Sequence, residues 1–354
     1  MRRAVLAAAV VVASVPPAAA PAGAAPSGRA VQAAEVCRID DPAVTEVSGL
    51  AVVPGGFLVE NDSNPDPRRT RLFYLDEGCR VTRSVGYPTT ARDPEDLAVD
   101  RSGTVWVADI GDNSPLMGGS GNRRSTIALW TLKPGAKSPK IHRLRYPDGE
   151  PRDAEALLID GAGRPVIVTK EPGGEVYRLD TPLPTDNTEG APLTLVGHFQ
   201  PSRTGTANPL GVFGSALITG AAVSPDGTKA VVRTYSDAYE FDVTGGDVAA
   251  AIVGGTPVVT PLPNEPQGEA IAYTADGNGF LTVSDQPGPV SIQHYPATRK
   301  ASPVPAKPAP GTAAEAFPPR ERPERQGRLA LLVSAFSVVG LMLVAAAARY
   351  ARRR

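Results

Sequence analysis

Five segments of this chain share one grammar, and no other property of the sequence limits the fold so strongly. They are VSGLAVVPGGFLVENDS from Val47, PEDLAVDRSGTVWVADIGDN from Pro94, AEALLIDGAGRPVIVTKE from Ala154, ITGAAVSPDGTKAVVRTYSD from Ile218 and GEAIAYTADGNGFLTVSDQ from Gly268. Each has a polar start, an apolar run, a glycine turn and a second apolar run that ends polar. Val52, Val99, Ile159, Val223 and Tyr273 correspond, at spacings of 47, 60, 64 and 50 residues. Pro225-Asp226-Gly227 and Ala275-Asp276-Gly277 are the clearest hairpin turns.

Two further strand-like runs follow each hairpin: STIALWTL and KIHRLRY, then GEVYRLD and LTLVGHF, then AYEFDV and TPVVTPL. Four antiparallel strands at a period near 50 residues are one blade of a β-propeller. The fifth repeat has a third strand, VSIQHYP, but no fourth, while EVCRIDD from Glu35 precedes the first repeat in the place of a fourth strand. The expected fold is therefore all-β, with five four-stranded blades and the N-terminal strand closing the last one. The two long spacings leave room for a sixth blade, and a stacked β-solenoid is the alternative architecture.

Two apolar segments bracket the repeats. Met1-Arg2-Arg3 followed by the short apolar run Ala4–Val15 reads as a signal peptide over residues 1–33, with cleavage after Ala20 or Ala33. The uncharged run Leu329–Ala348 has the length of a transmembrane helix. It is preceded by a Pro- and Ala-rich stalk at 301–328 and followed by an Arg-rich tail at 349–354, expected on the cytoplasmic side. The basic flanks nearly balance, so the export signal sets this orientation. Residues 34–300 are then the extracytoplasmic domain, anchored to the cell membrane by a single pass.

The formal net charge of -1 gives no electrostatic case for nucleic acid. The two cysteines, Cys37 and Cys79, lie in the exported part and suggest one disulfide, with two free thiols as the alternative. His142, His198 and His294 are scattered through strand-like stretches and read as ordinary strand residues. No nucleophile elbow, P-loop or Rossmann fingerprint is present.

In a blade the start of strand one and the end of strand two meet at the same rim. The starts supply Ser48, Glu95, Glu155, Thr219 and Glu269. The ends supply Glu60, Asn61 and Asp62, then Asp109, Asp112 and Asn113, then Lys170 and Glu171, then Arg233 and Tyr235, then Asp285. The expected rim is acidic, with Lys170 and Arg233 as fixed positive charges. Converging carboxylates repel unless neutralised. Calcium or another divalent cation would do so, with Glu95, Glu155, Glu269 and Asp109 as candidate ligands. Ion pairing within the rim is the alternative.

ADIGDN with Arg123 and Arg124, DAEALLID, VTKE, VYRL, ITGAAVSPDGTKAVVRTYSDAYEF and QGEAIAY together resemble exported bacterial WD40-like or TolB-like β-propeller proteins of unknown function, mostly from high-GC Gram-positive bacteria. The resemblance spans about Ser48 to Asp285 and implies a propeller outside the cytoplasm, without an established activity; the WD dipeptide is missing. The strand-start acids are more distantly similar to metal-dependent propeller lactonases of the gluconolactonase type, and the fold to calcium-dependent propeller phytases. Their ligand sets do not align residue by residue here.

Two functions are consistent with these features. One is a binding module presenting its rim to an envelope glycan, peptide or protein. The other is a metal-dependent hydrolase of a lactone, ester or phosphoester. Propellers host both, so fold alone does not choose.

Overall fold

The computed structural model describes residues 32–112, 123–171 and 173–298. Residues 1–31 of the expected signal peptide, Asn113, and the expected stalk, apolar segment and Arg tail lie outside the described residues. Among the described residues, no helix is long and apolar enough to cross a membrane.

The first strand, β1 (Ala34–Ile39), stands alone in sequence. Blade 1 follows as β2 (Val47–Val53), β3 (Gly56–Asn61), β4 (Arg71–Asp76) and β5 (Val81–Gly86). Blade 2 is β6 (Pro94–Val99), β7 (Val105–Asp109), β8 (Ile127–Leu132) and β9 (Lys140–Arg145). Blade 3 is β10 (Ala154–Ile159), β11 (Pro165–Thr169), β12 (Glu175–Arg178) and β14 (Thr194–His198); the intervening β13 (Ala191–Pro192) runs parallel to β9 on the outside of blade 2. Blade 4 is β15 (Ile218–Val223), β16 (Lys229–Thr234), β17 (Asp237–Asp242) and β18 (Val258–Pro261), with helix α1 (Val248–Gly254) before its last strand. Blade 5 is β19 (Gly268–Tyr273), β20 (Gly279–Ser284) and β21 (Val290–Pro296), completed by β1. There are five blades, so the long spacings hold no sixth. The added length of the 60-residue spacing lies between β7 and β8, and that of the 64-residue spacing goes into the connection carrying β13 and the segment before β15.

The interiors of the two inner strands of each blade read largely apolar without alternation because both of their faces are buried. In β3, Phe57 and Val59 pack toward blade 5, with Leu281 and Val283, while Leu58 between them packs toward blade 2, with Leu97 and Trp130. In β11, Val166 and Val168 meet Ala230 and Val232 of blade 4, and Ile167 meets Trp106 and Leu129 of blade 2. The period-2 geometry of a strand thus feeds two interfaces at once, and there is one apolar cluster for each of the five junctions. The first hairpin of each blade turns on a left-handed residue, where a Cβ is strained. In blades 4 and 5 these are Gly227 (φ 71°) and Gly277 (φ 67°), with Asp226 and Asp276 accepting turn hydrogen bonds.

The ring closes as expected. β1 pairs antiparallel with β21, Cys37 opposite Ile292. Cys37 is bonded to Cys79, in the turn before β5, with the Cα atoms 5.7 Å apart. The disulfide therefore ties the closing strand of blade 5 to blade 1.

One buried carboxylate crosses the central channel. Asp96 on β6 accepts from its neighbour Leu97 N at 2.8 Å, from Leu157 N of blade 3 at 2.8 Å and from Ala221 N of blade 4 at 3.1 Å. Inner strands turn unpaired N–H groups toward the channel, and a buried orphan donor is costly. Asp96 satisfies donors from three blades at once. Asp96 is the residue after the rim candidate Glu95.

Two outcomes follow. Reduction of the disulfide, or the double variant Cys37→Ala/Cys79→Ala, should lower stability by about 2–4 kcal/mol in urea unfolding. An unchanged midpoint would place closure on the β1–β21 pairing alone. Asp96→Ala should cost about 3 kcal/mol, since it strands several buried N–H groups. A loss under about 1 kcal/mol would show that water replaces the carboxylate.

Candidate metal site at the channel mouth

Each inner strand begins with the same irregularity. The ladder to the second strand shifts between Val47 and Gly49, Pro94 and Asp96, Ala154 and Ala156, Ile218 and Gly220, and Gly268 and Ala270. The extra residues are Ser48, Glu95, Glu155, Thr219 and Glu269. A bulge lifts its extra residue out of the pairing pattern and re-aims the side chain. Ser48 Oγ donates to Pro94 O of the next blade at 2.9 Å, and Thr219 Oγ1 donates to Gly268 O at 2.9 Å. The two hydroxyls clamp adjacent blades, which leaves three glutamates at the channel mouth.

A second repeated contact sets what stands beside them. In four blades the carbonyl two residues before the bulge accepts the N–H just past the second strand. The pairs are Asp62 N to Glu46 O, Ile110 N to Asp93 O, Lys170 N to Asp153 O and Asp285 N to Gln267 O, at 2.7–3.1 Å. This fold-back places Asp62, Lys170 and Asp285 next to the bulged positions, and Asp93 and Gln267 with them.

Around half of the mouth the groups form a polar chain. The Lys170 ammonium bonds Glu155 Oε1 and lies 5.7 Å from the Tyr235 ring centroid. Tyr235 donates to Glu269 Oε1 at 3.1 Å. Gln267 Nε2 donates to Glu269 Oε1 at 3.2 Å and also to Asp285 Oδ2. On the other half, one carboxylate oxygen each from Asp62, Asp93 and Glu95 falls within 4.8 Å of the other two. Six carboxylates thus face one ammonium. Glu95 makes no hydrogen bond to a described residue, and Glu155 Oε2 is buried with no hydrogen-bond partner among the described residues.

The electrostatics follow from this imbalance. Burial first, then the Glu155, Asp62 and Asp93 charges, push the Glu95 carboxyl well above the usual range. Asp62 is pushed up by burial and by Asp93, and Asp93 mainly by burial. Glu155 is raised by burial beyond what Lys170 restores. Burial works against the Lys170 ammonium, but Glu155, Tyr235 and Glu269 outweigh it, so Lys170 stays charged. Tyr235 is raised by burial and then by Glu269.

Several expected rim residues sit elsewhere. Asp109 was expected among the metal ligands, yet its carboxylate is spent holding structure. It accepts from Arg92 N at 3.1 Å, Asp93 N at 3.0 Å, Arg124 Nη1 at 2.9 Å and Trp130 Nε1 at 3.1 Å. Asp62 and Asp93 stand with Glu95 in its place. Asp112 is tied to Arg123 at 2.9 Å and to Arg124 N at 3.0 Å. Arg233 is not a rim charge. It is fully buried between blades 4 and 5, bonded to Glu265 at 2.7 Å and to Ala270 O at 3.1 Å. A Cβ on Gly268 would fall 1.9 Å from Arg233 Nη2, so the glycine makes room for the guanidinium. Glu155, Lys170, Tyr235, Glu269 and Asp285 join Glu95 at the mouth.

Asp93 and Gln267 were missed, although the sequence holds a signal for them. DPE, DAE and QGE each place a polar residue two positions before a bulged glutamate. In DAE, Asp153 Oδ1 instead accepts from Asp112 N at 2.9 Å.

No protein-family model matches the chain. No curated protein matches it either. Solved structures with a similar arrangement include a glutaminyl cyclase from Myxococcus xanthus, 13% identical with a TM-score of 0.43, covering 77% of this chain and 100% of that one. Another is the PQQ-bound aldose sugar dehydrogenase from Streptomyces coelicolor, 14% identical with a TM-score of 0.40, covering 77% and 99%. A protein assigned as a gluconolactonase is 11% identical with a TM-score of 0.41, covering 77% and 96%. At these identities the likeness concerns fold alone.

The raised carboxyls fix a pH dependence. Groups whose folded pKa is raised weaken the fold where they are ionised, and the folded state takes up protons first on acidification. Stability of chelator-treated protein should therefore rise as pH falls from about 8 to about 5. Below the ordinary carboxylate range the sign reverses, because Asp226 and Asp276 are held down to about 2 by turn hydrogen bonds. Melting temperature against pH checks this. A steady rise from pH 5 to 8 would mean that the rim ionises without cost.

Proposed function

We propose that this propeller is a cation-centred binding module of the cell envelope, holding calcium or a similar hard divalent ion at its channel mouth and presenting it to an oxygen-rich ligand such as a glycan. The observation that carries this reading is the meeting of Asp62, Asp93 and Glu95 within 4.8 Å, in a mouth where Lys170 is the one ammonium among the described groups. The donor set fits the ion. All three ligands offer carboxylate oxygen, which suits calcium rather than a nitrogen- or sulfur-seeking metal. Burial first, and neighbouring carboxylates second, push all three carboxyls up, and a bound cation would offset both effects. When bound, it would supply open coordination positions for ligand oxygens. Lys170, oriented by Glu155 and Tyr235, would face an anionic part of the ligand.

The segment before β15 supports the binding reading. It leads into the bulge at Thr219 and exposes Leu210, Val212 and Phe213 at 45%, 51% and 50%. Such apolar side chains can cover the face of a bound sugar or a partner. Export by residues 1–33 and anchoring by 329–348, with the stalk between, belong to the same proposal. They would place the mouth outside the membrane.

A second reading rests on Glu155 Oε2, buried and without a hydrogen-bond partner among the described residues. With a cation polarising a lactone, ester or phosphoester, this carboxylate could accept a proton from an attacking water.

Elemental analysis of purified full-length protein, with melting temperature before and after chelation, tests the proposal. About one equivalent of divalent metal and a chelator-induced drop of about 5–10 °C are expected. Asp62→Asn and Glu95→Gln should each lose the metal and the chelator response. Metal-free protein that is indifferent to chelator and to added calcium would remove both readings. Metal binding that leaves a lactone and phosphoester panel untouched would retain the binding module alone.

A further inference from the structure

Beside the acidic mouth lies a depression of opposite sign. Its volume is about 590 Å³, and four arginines line it: Arg92, Arg123, Arg124 and Arg143. Arg92 belongs to this pocket and the next residue, Asp93, to the acidic cluster, so the two sites share a wall.

The charges in the pocket do not balance. Asp109 neutralises Arg124, whose remaining donors go largely to backbone carbonyls: Nε to Thr126 O at 2.9 Å and Nη1 to Gly111 O at 3.1 Å. Asp112 takes Arg123 Nε at 2.9 Å and reaches Arg92 at 3.5 Å, and Arg123 Nη2 donates to Pro151 O at 3.1 Å. The Arg143 guanidinium, on β9, makes no hydrogen bond or ion pair to a described residue. Four guanidiniums therefore meet Asp109 and Asp112, with Asp93 acting on Arg124 from the adjoining cluster. Gathering like charges in a partly enclosed space is unfavourable unless an anion completes it. Guanidinium forks match the paired oxygens of phosphate and carboxylate. Asn64 and Thr90 on the same wall add neutral partners for hydroxyl groups. The volume is that of a small-molecule site rather than of a single ion.

We propose that this pocket binds the oxyanion of a small polyhydroxylated ligand, a phosphorylated or carboxylated sugar. The oxyanion sits among Arg92, Arg123 and Arg143, with Arg124 fixed behind them by Asp109. Occupancy does not require a cation at the channel mouth, because the arginines themselves supply the positive charge.

Isothermal titration of full-length protein at low ionic strength, with glucose 6-phosphate, glucuronate, inorganic phosphate and neutral glucose as probes, decides the matter. Saturable binding of at least one of the two charged sugars, and none of glucose, is expected. The stronger of the two identifies phosphate or carboxylate as the group recognised. Arg143→Gln should weaken binding about tenfold. Arg92→Gln/Arg143→Gln should abolish it, and Arg143→Gln alone should leave the ligand-free melting temperature at the wild-type value. Arg143→Lys, which keeps the charge but loses the fork, should fall between wild type and Arg143→Gln and guards against a folding defect in the glutamine variant. Binding should persist in chelator, which separates this site from the cation proposed above. The inference is overturned if no charged probe binds, if inorganic phosphate binds as tightly as both sugars, if the glutamine variants bind as wild type does, or if chelator abolishes binding.

Discussion

The two inner strands of every blade are buried on both faces, and the rest of the structure depends on that. A sheet buried on both sides must find a neighbour on both sides, and only a closed ring provides one for every blade. The sequence answers with inner strands that are largely apolar, sending alternate residues to opposite junctions, as Phe57, Leu58 and Val59 do. Closure then becomes the weak point. The fourth strand of blade 5 comes from the other end of the described chain, and β1 is both paired to β21 and covalently joined to blade 1. Burial between blades leaves the channel as the place where inner-strand polar groups converge, and Asp96 satisfies three blades there.

The same geometry builds the mouth. A bulge at the start of each inner strand turns one side chain out of the ladder, and the fold-back of the following loop brings the end of the second strand beside it. The chemistry of the mouth is therefore decided by two positions per blade. Where the bulge carries serine or threonine, the hydroxyl joins neighbouring blades. Where it carries glutamate, a carboxylate is added to an enclosed, already acidic space, and for Glu95 and Glu155 burial does more than any single neighbour to raise the pKa. A space of that kind attracts cations more strongly than an exposed acidic patch would, because the surrounding protein screens little.

The architecture was legible in the sequence because it repeats. Spacing, glycine turns and the unpaired strand at Glu35 gave blade number and closure, and the two cysteines fell on the segments that closure brings together. The site was half legible, for a reason of register. Lys170, Tyr235 and Asp285 lie one residue past Thr169, Thr234 and Ser284, each aligned with the first residue of its inner strand or its equivalent. In blade 1 that place belongs to Asp62 and in blade 2 to Ile110, following Asn61 and Asp109. Asp109 is thus one residue short of the mouth and Arg233 two residues short. Their charges turn into the junctions, where they bind backbone and indole N–H groups and Glu265. A list of polar residues near strand ends cannot separate these places, since a bulge changes the register by one and is silent in composition. Aligning the repeats on the bulge, rather than on the apolar run, recovers Asp93 and Gln267 as well.

Asp109 shows why two sites of opposite charge can lie side by side. Its carboxylate accepts the N–H groups of Arg92 and Asp93, so it fixes the backbone from which one side chain enters the arginine pocket and the other the acidic cluster. It also neutralises Arg124, whose guanidinium bonds the Asp109 and Gly111 carbonyls beneath that corner. Glu95 Oε1 lies against Gly111, where a Cβ would come within 2.0 Å of it, so the same corner admits the Glu95 carboxylate only because the residue there is glycine. A buried ion pair of this sort contributes little net stability, because desolvation offsets most of the attraction. Its value lies in position. It holds a cationic and an anionic surface at a fixed separation on one rigid loop, and a ligand with a charged group and several hydroxyls is the kind of molecule that can use both.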